Sequence, residues 1–466
     1  MNTQLEAIKR AREIQLSTGM QAHGLGGKLR RAVKRFRELN SVHPTHKVIL
    51  YFWQRLCSIL NNRWQAKIGA RWDGERATKP GFIKEMDMKE KTLTELLESL
   101  LKAMHNVQES LDKDSLSQRY AVRITGGLGD VAMIARFMRD LQAYLGDGLS
   151  FDVYFQSPAM IEEFFLPIPG FRTCVDANLF ERFVEKYAFS LLVNQFVTFA
   201  NEHVKLNILL EKFPKVLNLY SAIEKSRKPI EKYITSHPLL DGAFADMAIR
   251  SGKKRYRYLH EMAGIPYGGD RFDIAVPPGM REKYGLAGID YITVHDGWDN
   301  NFKLITQRPN KALPFSTWVD IVAGLKKNHP QLKIVQIGGK TGEDIPGVDL
   351  NLRAKLSFAE SMSILQGAQL HIDNESGLVH VGASLGVKSV VMFGPTNMAW
   401  FSYPQNINLA PKNCSNCWWS TDTWMDICPA GYKEAKCMQE HVAADVLVKV
   451  AGLIGLDAKV SLETSK

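Results

Sequence analysis

Gln369-Leu-His-Ile-Asp-Asn-Glu-Ser-Gly-Leu-Val-His380, with Val390-Val-Met-Phe-Gly-Pro-Thr396 behind it, decides how this 466-residue chain is read. Leu370 and Ile372 lie in a short apolar run, and Gly377 allows a close turn. Leu378, Val381 and Leu385 then recur at helical spacing. Val390 to Phe393 is a buried strand that Gly394-Pro395 stops. The order is strand, turn, helix, strand, turn. A helix that starts at Ser376 or Gly377, just past a strand end, points free backbone N–H groups into a cleft, which suits a phosphate or diphosphate.

Working outward, the same strand–helix alternation recurs. Tyr120 to Thr125 reads as a strand, Gly126-Gly-Leu-Gly-Asp130 as a glycine turn, and Val131 to Tyr144 as a helix. The third glycine of a dinucleotide fingerprint is missing, so the turn alone is a weak signal. Phe151–Phe155, Phe171–Val175 and Phe189–Val193 read as strands, His203–Ile234 as one long helix, Lys253–Ala263 as another helix and Pro266–Pro278 as a connector. The pattern restarts with the strand Tyr291–His295, a turn at Asp296-Gly297, helix Phe315–Leu325, strand Leu332–Ile337 and helix Ser357–Leu365. It ends in an amphipathic helix, His441–Leu456. Such alternation implies parallel sheets covered by helices. The expected organisation is a helical extension (1–118), a first Rossmann-like lobe (119–286) and a second (287–466).

The extension reads as helices. Leu25, Leu29, Val33, Phe36 and Leu39 form one face of a helix whose other positions include Lys28, Arg30, Arg31, Lys34, Arg35 and Arg37. That face fits an anionic membrane or an acidic partner, or a solvated surface. A formal net charge of +10 favours anionic partners generally, and 45% apolar residues fit a globular protein. Met1–Gln15 lacks an apolar core like that of a secretory signal, and no run of about 18 uncharged apolar residues occurs, so a cytoplasmic protein is expected. No recognised nucleic-acid module accompanies the basic helix, and no nucleic-acid partner is expected.

Read from the residues alone, Asp130 caps a helix start, Lys311 is a surface lysine and His380 a satisfied core histidine. Cys57 and Cys174 stand alone. Cys414, Cys417, Cys428 and Cys437 crowd one loop, and four thiolates can close a tetrahedral zinc or iron site. Such a site would be structural, since all four ligands come from the protein.

Asn374-Glu-Ser-Gly-Leu-Val-His380 and Phe393-Gly-Pro-Thr396 resemble the donor-binding signature of the bacterial heptosyltransferases, glycosyltransferase family 9, where Asp usually stands in place of Glu375. The resemblance runs from about Arg119 to the end. It implies the GT-B fold, two Rossmann-like lobes around a cleft, and an inverting transfer of heptose from a nucleotide sugar, ADP-heptose in that family. The acceptor would be a lipopolysaccharide-type glycolipid or a protein, met at the inner membrane. By resemblance Asp130 is the base, and Lys311 faces the donor diphosphate, with Arg308 and Lys303 as rivals. Gly127, Gly129, Glu375, Ser376, Gly377, Leu378, His380 and Thr396 then form the donor site. No Asp-x-Asp pair stands at a strand end, so no catalytic metal is expected. Relatives with cysteine-rich tails resemble iron or zinc binders in that loop. A hexosyltransferase, a nucleotide-sugar epimerase and a non-catalytic scaffold are the other readings.

Overall fold

The computed structural model describes residues 118–200, 213–298, 304–306 and 308–463, with side chains as far as 453. These lie in the second of two compact units, Asp114–Lys466. The expected basic helix, all of the extension up to residue 117, Cys57 and Lys303 fall outside the described residues.

The first sheet has the strand order β3-β2-β1-β4-β5: β1 (Arg119–Ile124), β2 (Ser150–Phe155), β3 (Phe171–Asp176), β4 (Phe189–Val193) and β5 (Val197–Phe199). β1 to β4 are parallel. β5 departs from the expected all-parallel sheet and runs antiparallel to β4. A tight return builds it: the Asn194 N–H donates to Phe196 O and the Asn194 side chain accepts the Phe196 N–H, each at 2.9 Å or less. The second sheet, order β11-β10-β9-β6-β7-β8, is parallel throughout: β6 (Tyr291–His295), β7 (Lys333–Gln336), β8 (Leu350–Asn351), β9 (Leu370–Asn374), β10 (Ser389–Met392) and β11 (Ile407–Leu409).

Helices cover the sheets: α1 (Leu128–Leu145), α2 (Pro214–Arg227), α3 (Asp241–Arg250), α4 (Arg255–Ala263), α5 (Phe315–Asn328), α6 (Phe358–Gln366), α7 (Gly377–Leu385) and α8 (Ala443–Glu463). Side chains alternate across each strand, so a strand covered on both sides is apolar at nearly every position. Ile292, Val294, Ile334, Ile372 and Val390 enter one core with Trp318, Ile321 and Leu325 of α5. Tyr291, Val335 and Val391 enter the other, with Val379 and Val381 of α7. These two α/β lobes make a GT-B-like fold.

Local signals set several boundaries. α6 begins with a capping box, in which Ser357 Oγ accepts the Glu360 N–H and Glu360 accepts the Ser357 N–H. The long helix expected over His203–Ile234 is broken. α2 ends at Arg227, and a 3-10 turn, Lys228–Ile230, precedes a short helix, Glu231–Thr235. Pro229 has no N–H to continue the ladder. α8 returns onto α5, where Leu447 fills the space that a side chain at Gly324 would need. Among the described residues no helix is long and apolar enough to cross a membrane.

Candidate active site

Both sheets change direction of winding at a defined point. In the first, the chain runs from β1 to β2 on one side and returns to β4 on the other. In the second, the same reversal separates β6 from β9. Ligands of open α/β sheets bind beyond the carboxyl ends of the strands at such points. α1 leaves the first of them and α7 the second, and their first turns meet. A Cβ on Gly129 would lie 2.6 Å from His380 Cδ2 and 3.3 Å from Gly377 Cα, and one on Gly377 would lie 3.1 Å from the Gly129 nitrogen. A side chain at Gly129 would have to displace His380, and one at Gly377 would be tight against α1.

Asp130 stands in this first turn and caps it: Oδ2 accepts the Gly127 N–H at 3.1 Å. Oδ1 accepts from Arg255 Nη2 at 2.8 Å, and the same nitrogen reaches Asn194 O at 3.2 Å. Arg255, on α4, is 1% exposed, whereas the Asp130 side chain is 35% exposed. A carboxylate has about four lone-pair positions, so the two bonds leave it able to accept a proton.

Across the junction, Ser376 is the N-cap of α7. Its Oγ accepts the Leu378 N–H at 3.2 Å and donates to Asp373. The Leu378 N–H expected to hold phosphate is therefore already taken. His380 is buried and bonded at both ring nitrogens, Nδ1 to Tyr403 Oη at 2.9 Å and Nε2 to Glu375 Oε1 at 3.0 Å. It orients Glu375 rather than standing free for a ligand. Burial alone would raise the Glu375 pKa, but the Lys311 charge and the His380 hydrogen bond bring it below the ordinary carboxylate value. Lys311 Nζ lies 3.8 Å from Glu375 Oε2. The rival Arg308 is held by Asp296 and Glu343. Thr396 is buried beyond the end of β10, where the sequence places it.

The sequence model of glycosyltransferase family 9 (heptosyltransferase) matches residues 306–424, from the Arg308–Lys311 segment through α7 into the cysteine loop. Over these residues the chain resembles glycosyltransferase family 9. No curated protein matches it. ADP-heptose LPS heptosyltransferase II of E. coli is 14% identical, covering 73% of this chain and 99% of that one, with a TM-score of 0.47. A family 9 glycosyltransferase of Veillonella parvula is 15% identical, covering 73% and 97%, TM-score 0.42. The dodecameric iron-containing TibC of enterotoxigenic E. coli is 14% identical, covering 72% and 76%, TM-score 0.43.

The cysteine loop leans on three other parts of the chain. Asn416 and Trp418 donate backbone bonds to Gly394 and Pro395 at the end of β10. The Trp418 carbonyl sits against Gly242 of α3, in the other lobe. Asn310 donates its N–H to Met425 O at 2.7 Å and its side-chain amide to Trp424 O at 2.8 Å, which fixes the residue next to Lys311. Cys428 and Cys437 are buried, and no cysteine of the loop is in a disulfide. Burial first, then the neighbouring thiols, push Cys417 to about 11 and Cys437 to about 12. Four thiols near one another are a suitable donor set in kind. Among the described residues, however, no group of three or more His, Cys, Asp or Glu side chains stands in metal-binding geometry.

Three residues of this network lay outside the sequence reading. Arg255 fixes Asp130. Tyr403 stands between His380 and Arg136, and the fully buried Arg136 also donates to Asp270 at 2.7 Å. Arg255 lies more than a hundred residues from Asp130, and Arg136 from Asp270 and Tyr403, so no local pattern announces them.

Proposed function

We propose that this glycosyltransferase moves a heptose, or a closely related sugar, from a nucleoside diphosphate to a hydroxyl of a lipopolysaccharide-type glycolipid or a protein. ADP-heptose is the favoured donor. The observation that carries this reading is the meeting of α1 and α7 at the two winding reversals, with Asp130 on one side and Glu375 and Lys311 on the other. In the proposed step the acceptor oxygen attacks the anomeric carbon from the face opposite the diphosphate, with inversion. Its proton passes to Asp130, the bond to the diphosphate oxygen breaks, and that oxygen keeps the electron pair. Arg255 holds the carboxylate in place, since a base must lie within hydrogen-bond reach of the proton it takes. Lys311 offsets charge on the departing diphosphate. Glu375 receives sugar hydroxyls. The chain's own cations do this work, and the proposal includes no catalytic metal.

Two further parts belong to the proposal. Cys414, Cys417, Cys428 and Cys437 would bind a structural zinc or iron, which ties down the loop that braces Asn310. The protein would work at the cytoplasmic face of the inner membrane, where a lipid-linked acceptor is reached. The deciding experiment incubates the protein with a panel of nucleotide sugars and follows release of the nucleoside diphosphate with acceptor present. ADP-heptose should be turned over selectively. Asp130→Asn should fold, bind donor as well as the wild type, and lose at least about a hundredfold in turnover, the usual scale of general-base catalysis. Near-normal turnover by that variant removes Asp130 from the role.

A further inference from the structure

A second polar constellation sits at the winding reversal of the second sheet, and the step above makes no use of it. Register pairs His295 at the end of β6 with Asp373 near the end of β9. His295 Nδ1 is 2.9 Å from Asp373 Oδ2 and 3.1 Å from Oδ1. Asp373 is fully buried and also takes hydrogen bonds from Ser376 Oγ and, at 3.2 Å, from His371 Nε2. His371 is in turn 2.9 Å from Thr293 Oγ1. Four linked polar side chains thus lie in two central strands whose remaining residues, Asn374 apart, are apolar. Burying them is costly unless each is paired, and here each pairing leads toward Asp373.

Two glycines stand against the free edge of the His295 ring. A Cβ on Gly297 would lie 2.5 Å from Nε2, and one on Gly338 would lie 2.7 Å from Cδ2. Gly338 has φ +138°, a conformation that favours glycine. Among the described residues both hydrogen bonds of the ring are made by Nδ1. The ring therefore stands over the strand ends with glycine on two sides, at the position where a donor diphosphate is expected.

We infer that His295 is a further donor-binding residue, presenting Nε2–H to an oxygen of the donor diphosphate, and that Asp373 is its positioning residue. This rests on the nucleotide-sugar reading above. The charges around it leave room for such a cation. Arg308 is committed to Asp296 and Glu343, Arg353 beside Gly338 is paired with Asp344, and Lys311 leans toward Glu375. Asp373 and His371 face the ring from β9, and Asp296 from its own loop. Burial pushes the imidazole down, but the charge and hydrogen bond of Asp373 outweigh it against the opposing charge of Lys311, so the pKa lies above its ordinary value. Burial likewise pushes Asp373 up, and His295 with His371 brings it to about 2.

The test measures binding of ADP-ribose to the full chain by calorimetry across the histidine range, because the two negative charges of its diester diphosphate do not change there. Wild-type affinity should fall as pH rises through the His295 pKa. His295→Asn keeps a donor for Asp373 and deletes Nε2. It should bind roughly tenfold to a hundredfold more weakly, the scale of one hydrogen bond to a charged group, and lose the pH dependence. Asp373→Asn should move the pH midpoint downward. Adenosine, which lacks the diphosphate, should bind all three proteins alike. A wild-type affinity that does not change with pH overturns the inference without any variant. So does an unchanged affinity in a folded His295→Asn protein. Failure of the wild type to bind any nucleotide sugar overturns the nucleotide-sugar reading, and the inference with it.

Discussion

Gly129→Ala tests the junction between the lobes with a single methyl group. The new Cβ would fall 2.6 Å from His380 Cδ2 and 3.4 Å from Cγ, where carbon atoms settle at about 3.5–4.0 Å. The ring must withdraw by about 1 Å, but both nitrogens are tied, at 2.9 Å to Tyr403 and 3.0 Å to Glu375. A shift of that size takes both bonds past hydrogen-bonding distance. Overpacking costs about 1–3 kcal/mol and the two bonds about 1 kcal/mol each. Against this, alanine in place of glycine in a helix returns at most about 1 kcal/mol. The net loss should be about 2–4 kcal/mol, read as a lower midpoint in urea, with weaker donor binding because Glu375 loses its support. Gly452 of α8 supplies the control. A Cβ there meets nothing within 4 Å, so Gly452→Ala should stabilise by about 0.5–1 kcal/mol. If Gly129→Ala gains stability as Gly452→Ala does and binds donor normally, the close approach of α1 and α7 is not what the distances describe.

Other expectations follow from the same network. Tyr403→Phe keeps the ring stacked on Tyr256 but removes the hydroxyl between Arg136 and His380. It should cost about 1.5–3 kcal/mol in denaturation and raise the KM for donor, and an unchanged KM would separate Tyr403 from the site. Asn310→Ala loses the bond to the Trp424 carbonyl. It should weaken nucleotide-sugar binding by several-fold while leaving the acceptor KM alone, which steady-state kinetics with each substrate varied will show.

The strands were legible because parallel strands buried on both faces read as unbroken apolar runs. β6 was read to the residue and β4 likewise. β5 and β11, three residues each, carry too little sequence to show a period, and α3 lies where one long helix was expected to have already ended. Of the candidate site residues, Gly127, Asp130, Ser376 and Gly377 are the ones marked by turns, and all four flank a strand–helix junction. Arg255 reaches Asp130, and Arg136 reaches Tyr403, across gaps of more than a hundred residues, and nothing local distinguishes these residues from ordinary surface or core positions. His295, His371, Asp373 and Thr293 did leave a signal. Polar residues inside strands that must be buried on both sides have to find one another, and adjacent strands are where they can.

Two helix starts that meet place partial positive charges side by side, about half a unit at each end, an arrangement that needs anions to balance it. Asp130 answers at α1 through its cap. At α7 the nearest carboxylates are Asp373, buried beneath Ser376, and Glu375. The extra methylene of Glu375, relative to the aspartate usual in this signature, lets one oxygen reach His380 at 3.0 Å while the other stays 3.8 Å from Lys311. A shorter side chain on the same backbone would have to give up one of these partners. Glu375 therefore joins the histidine that the first lobe presses on to the lysine beside Asn310, which the cysteine loop holds. A displacement of His380 at the α1–α7 junction should move Glu375 relative to Lys311.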